Sequence, residues 1–120
     1  MKIAVPVLET EVKGRRLINA HFGKSNFFAI VDTETGEVEF VKNPANNVQR
    51  GRGMQIAQML KEKGVKAVLV KEIGAGAFDK LKNVAGIEVY LVPTVVKFLD
   101  EAVNLFKEGK LTELSEPNEG

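Results

Sequence analysis

A chain of 120 residues with 44% hydrophobic and 28% charged residues has the balance of one globular domain, long enough to bury a core. Its formal net charge of +1 argues against nucleic acid or a membrane surface as an electrostatic partner. It has no cysteine, which excludes disulfides, thiolate zinc sites and thiolate-held iron–sulfur clusters within one chain, and no apolar run approaches the roughly 20 residues of a membrane helix.

Met1–Pro6 reads as the start of a strand rather than a signal peptide, so the expected location is the cytoplasm. Lys2–Leu8 is a short apolar run, suited to a central strand except that Pro6 removes one ladder donor. Glu9–Arg16 is polar and reads as a loop. Leu17-Ile18 then leads into Asn19-Ala20-His21-Phe22-Gly23-Lys24-Ser25, a turn that carries the only histidine. Phe27–Asp32 is a second strand. Thr33-Glu34-Thr35-Gly36 signals a hairpin into Glu37–Lys42, an alternating third strand with one wet face.

Asn43–Asn47 is a run of turn formers. Gln49-Arg50-Gly51-Arg52-Gly53 precedes a helix over Met54–Lys63 with Ile56, Ala57 and Leu60 as its buried stripe, ended by Gly64. Val65–Val70 is apolar on both faces, as a parallel strand covered by helices is. Gly74-Ala75-Gly76 opens a second helix with Phe78, Leu81 and Val84 at helical spacing. Ile87–Val92 is the last strand. Pro93-Thr94 leads into a third helix with Val95, Leu99, Ala102, Val103 and Phe106 on one face. Residues 1–111 form the domain, and 112–120 read as an acidic flexible tail.

Three strands joined by tight turns, followed by two right-handed helix crossovers, predict a five-stranded mixed sheet in an α/β fold. The strands take the order 3-2-1-4-5 with helices on both faces, the ribonuclease H-like architecture. The second strand runs antiparallel to the first. His21 therefore falls on the edge where the first, third, fourth and fifth strands end, together with Glu9, Asn43–Gly53, Lys71–Gly76 and Pro93-Thr94. Ligands of open α/β sheets bind outside that edge, and helix starts there offer unpaired amides to an anion.

Each residue of this rim has two readings. His21 is either a turn histidine bonded locally or a metal ligand and proton carrier. Phe22 is core or a stacking platform. Gly23 permits a tight turn or a close backbone approach. Gly74-Ala75-Gly76 is a GxG at a strand–helix junction without the rest of the dinucleotide fingerprint. It serves helix–strand packing or anion binding. Arg50 and Arg52 are solvated charges or an anion clamp. Ribonuclease H-type catalysis needs several carboxylates around two metal ions, and no such set converges. No nucleophile with its base assembles either, so the chain is expected not to be an enzyme.

Ile18–Ser25, followed by Phe27, Phe28 and Ile30, resembles the His-Phe-Gly signature of the dinitrogenase iron–molybdenum cofactor biosynthesis family. Ile73–Leu81, then Gly86–Val89, is similar to that family's second block. The resemblance extends over about Met1–Leu111. It implies a ribonuclease H-like fold and a carrier of an iron–sulfur or iron–molybdenum cluster precursor, bound transiently. His21 would be the cluster contact, and Gly23 and the Gly74–Gly76 turn would line the pocket. Metallocluster donor and acceptor proteins would be the partners of a monomer or homodimer. Some relatives place a cysteine near the first helix, where this chain has none. The same rim supports a second reading, a binding module for a small phosphate-bearing metabolite or nucleotide.

Overall fold

The longest strand, β1 (Lys2–Val12), is the one the others are laid against. The chain continues through β2 (Arg15–Ile18), β3 (Phe27–Asp32), β4 (Val38–Lys42), α1 (Arg52–Glu62), β5 (Val65–Val70) and α2 (Ala75–Asp79). The last of these runs on into a π-helical turn (Lys80–Val84). Then come β6 (Glu88–Leu91), α3 (Leu99–Lys107) and β7 (Thr112–Glu113). This structure, a computed structural model, describes residues 1–119; Gly120, assigned above to the tail, lies outside the described residues.

All seven strands form one mixed sheet in the order β4-β3-β1-β5-β6-β7, with β2 attached to β1. The five strands expected from the sequence lie in the expected order, but the sheet has seven members, not five. The first addition, β2, comes from the segment read as a loop. β1 continues past Leu8 to Val12 and folds back through Lys13 (φ 52°) and Gly14 (φ 75°), pairing Glu11 with Arg16 and Val12 with Arg15. Two adjacent positive-φ residues match the right-handed twist of a two-residue hairpin. The second addition, β7, pairs with β6 through Tyr90↔Glu113 and Leu91↔Thr112. The tail therefore does not hang free from residue 112: it covers an otherwise open sheet edge.

The period-2 alternation of the strands sorts the core into two layers. Ala4, Phe28, Ile30, Val68, Val70 and Val89 face Ile56, Ala57 and Leu60 of α1, Phe78 of α2 and Leu81 of the π-helical turn. Ile3, Val5, Val7, Ala29, Val31, Ala67 and Leu69 face Leu99 and Ala102 of α3. Helices thus cover both faces. Two details differ from the expected stripes. The π turn inserts one extra residue and rotates the residues after it, so Val84 is exposed and Ala85 packs on the core instead. α3 begins at Leu99, after an extended Phe98, which leaves Val95 outside the helix and 81% exposed. No helix among the described residues is long and apolar enough to cross a membrane.

Candidate functional site

The position of His21 depends on how β1 shares its edge. Along Lys2–Ala4, β1 pairs with β5 in parallel. Beyond Pro6, which has no N–H to give, the same side is taken by β2, with Val7 opposite Ile18. β2 therefore runs back toward the end of β5, and the loop after it lands there. His21 forms an isolated parallel bridge with Glu72, and its Nδ1 lies 3.7 Å from the Glu72 carboxylate.

Buried polar side chains hold the loop in shape. The Asn19 side-chain oxygen accepts the His21 amide at 2.9 Å, and its amide group donates to Ser25 Oγ at 3.3 Å. Ser25, fully buried, is within hydrogen-bond reach of the Phe27 carbonyl at 2.7 Å and the Val7 carbonyl at 3.2 Å. Asn43, 3% exposed, donates to the carbonyls of Gly23 (3.1 Å) and Ser25 (2.8 Å) and accepts the Ala45 amide at 2.8 Å. These bonds satisfy loop carbonyls that would otherwise be costly to bury. Phe22 seals the loop from beneath: it is 1% exposed, with its ring centroid 5.2 Å from that of Phe28.

Above the loop opens a cleft of about 450 Å³, walled by His21–Lys24, by Gly51–Met54 at the start of α1, and by Gly74, Gly76, Ala77 and Lys80 around α2. Gln49 and Glu119 complete it. Its charged walls are Lys24, Arg52 and Lys80 against the single carboxylate of Glu119, an excess of positive charge that suits an anion. Arg52 is oriented by its Nε, which donates to the Val48 carbonyl at 2.6 Å. Lys80 lies 3.3 Å from Asp79, whose carboxyl is held below the ordinary range by hydrogen bonds from Asn83 and Lys80. On the adjoining rim, burial pushes the Lys71 ammonium down while its Nζ donates to the Thr94 carbonyl at 3.3 Å.

The glycines divide into two kinds. Gly51 has φ 75°, and a Cβ on Gly53 would stand 2.9 Å from Ala77 Cα. The first needs a left-handed backbone; the second lets α1 and α2 touch. Gly23, Gly74 and Gly76 have neither need. None has positive φ, and a Cβ on any of them would meet nothing within 4 Å. The tight-turn reading of Gly23 and the packing reading of Gly74 and Gly76 therefore lack a steric basis. What the missing side chains leave is bare backbone facing the cleft.

Of the residues singled out from sequence, the fold brings His21, Phe22, Gly23, Arg52, Gly74 and Gly76 to one cleft; Arg50 and Ala75 are exposed and do not line it. Sequence reasoning placed Lys24 in the turn and Asn43 on the same edge but gave neither a role, and it missed Lys80 and Glu119 in the walls. Asn43 read only as a turn former, and nothing local distinguishes a buried Asn from an exposed one. Chemically, the cleft offers cations, amides and one imidazole. No group of three His, Cys, Asp or Glu able to hold a metal ion occurs among the described residues.

The model of the family described as dinitrogenase iron–molybdenum cofactor matches residues 1–109. An uncharacterised protein of Methanocaldococcus jannaschii is 37% identical over 114 residues, which is 92% of this chain and 89% of that protein. The apo form of the orange protein from Desulfovibrio gigas superposes with a TM-score of 0.85 at 28% identity, over 98% of this chain and 96% of the other. A Thermotoga protein of the DUF35 family, described as NifB-like, gives 0.80 at 31% identity, over 98% and 97%.

Proposed function

Because the chain belongs to the dinitrogenase iron–molybdenum cofactor family, we propose that it is a non-catalytic carrier for an anionic iron–sulfur or iron–molybdenum cluster precursor. The cargo sits in the His21 cleft of a ribonuclease H-like sheet, in the cytoplasm. One observation carries this reading. Gly23, Gly74 and Gly76 lack side chains that neither backbone conformation nor packing forbids, at the place where Lys24, Arg52 and Lys80 converge. A bulky anion can approach bare backbone there and meet amide and ammonium donors together.

The donor set also speaks for transient holding. With one imidazole and no thiolate, the cargo keeps most of its own ligands and is handed to donor and acceptor proteins without breaking several metal–protein bonds. His21, with its ring 60% exposed, is the one imidazole of the cleft and its natural metal contact. Anaerobic titration with an extracted cluster, followed by desalting and metal analysis, tests this. Wild type retains metal and His21→Ala retains severalfold less. Equal retention removes the histidine from the account.

A second reading, a phosphate-bearing metabolite or nucleotide, rests on the amides at the start of α1 beside Arg52. Thermal-shift measurements with nucleotides separate the two. A true ligand at 100 times its dissociation constant adds about 2.7 kcal/mol, and the carrier reading expects no such shift.

A further inference from the structure

Resting on the carrier reading, we propose that the C-terminal segment is a strap whose Glu119 carboxylate competes with the cargo for the cleft. After β7, the Leu114 amide donates to the Val89 carbonyl at 2.8 Å, and its side chain packs on the α1 and α2 side of the core. The chain then crosses to the end of β5. There Asn118 imitates a neighbouring strand: its side-chain oxygen accepts the Ile73 amide at 2.8 Å and its Nδ2 donates to the Lys71 carbonyl at 2.8 Å. The backbone amides of Asn118 and Glu119 both reach the Ile73 carbonyl, at 3.3 and 3.1 Å.

These bonds bracket Glu72, the residue that bridges to His21. They deliver Glu119 as the only carboxylate among the described residues that line the cleft. An intramolecular carboxylate thus shares the cleft with Lys24, Arg52 and Lys80 without forming an ion pair with any of them, close enough for its charge to repel an arriving anion. Asn118 and Glu119 are themselves exposed, and their bonds converge on Lys71 and Ile73 alone. Releasing them is a local opening that leaves the sheet intact. Cargo therefore enters by displacing a carboxylate, and a strap that can close again helps to expel it.

Molybdate is the probe, titrated at low ionic strength by equilibrium dialysis into wild type, Glu119→Gln and Asn118→Ala. Glu119→Gln removes the charge and keeps the strap; Asn118→Ala loosens the strap and keeps the charge. Both should bind about two- to fivefold more tightly than wild type, the range of an exposed charge pair. In wild type, molybdate should also speed proteolysis within 114–119. If wild type binds and either variant is no tighter, the strap is overturned while the carrier reading stands. If none of the three binds, both are overturned.

Discussion

Two clefts of similar volume, about 450 and 490 Å³, open on this molecule. One lies at the end of β5 beside α1 and α2. The other lies beside α3 and β4, and in it both arginines are ion-paired, although the buried Nε of Arg16 has no hydrogen-bond partner. Arg15 makes a two-pronged bond to Asp100 at 2.9 and 3.0 Å and lies 4.1 Å over the Phe98 ring. Arg16 binds Glu11 at 2.8 Å and the Glu9 carbonyl at 2.8 Å, and lies 4.3 Å over Phe40. In the His21 cleft, Lys24 and Arg52 have no carboxylate within ion-pair distance among the described residues. Volume does not separate the two clefts. Lys107 in the second groove has no carboxylate within ion-pair distance among the described residues either, so what separates the two is the arginines, ion-paired there and unpaired at Arg52, together with the bare glycine backbone that only the His21 cleft offers an anionic ligand.

The largest expected effect marks where the cleft becomes core. Phe22→Ala should cost about 3–5 kcal/mol of folding stability, read by urea unfolding. A cost below about 1 kcal/mol would mean that the ring is a surface platform after all. Gly53→Ala should cost about 1–3 kcal/mol by forcing α1 off Ala77; an unchanged unfolding midpoint would remove the close contact from the account.

A matched pair of glycines then sharpens the contrast. Gly14 borders the α3 groove with φ 75°, so Gly14→Ala should destabilise by about 1 kcal/mol and leave cluster uptake alone. Gly74, with φ −80° and ψ 164°, accepts alanine. Gly74→Ala should gain about 0.4–1 kcal/mol through the unfolded chain and yet lose uptake. The reverse pattern would break the distinction between the two clefts.

The smallest effect belongs to the Arg15–Asp100 ion pair. The hydrogen bond from Arg15 holds the Asp100 carboxyl below the ordinary carboxylate range. A depressed folded value means that the stabilisation is present above the unfolded value of about 3.9 and is lost as the pH falls through the folded one. Asp100→Asn should therefore melt with a slightly shallower loss of Tm between neutral pH and pH 2.5. Both side chains are about half exposed, so the difference is small. Identical slopes would show that the pair contributes nothing.

The sequence revealed the sheet order because Val65–Val70 is apolar on both faces and the first three strands alternate. It hid β2 because that strand opens with Arg15 and Arg16, whose charge outweighs Leu17 and Ile18 in any pattern count. Their stems pack only because Phe98 and Phe40, distant in the chain, supply rings for them. The π turn was equally invisible: one extra residue moves Val84 out of the core without leaving a compositional mark. In the site, His21 and the GxG turn were legible as local motifs. Asn43 and Glu119 were not, since their partners Gly23, Ser25 and Ile73 are remote in the chain.

The central claim is that unmatched cations in the His21 cleft hold an anionic metallocluster. The most direct test is metal retention after anaerobic incubation with an extracted iron–molybdenum cluster and gel filtration. It compares wild type, Lys24→Gln/Arg52→Gln and Arg15→Gln/Lys107→Gln. Each double variant loses two positive charges, one pair from each cleft. The account predicts that wild type and the groove variant retain the cluster alike and that the cleft variant loses it. Equal retention in all three, or loss in the groove variant alone, would contradict it.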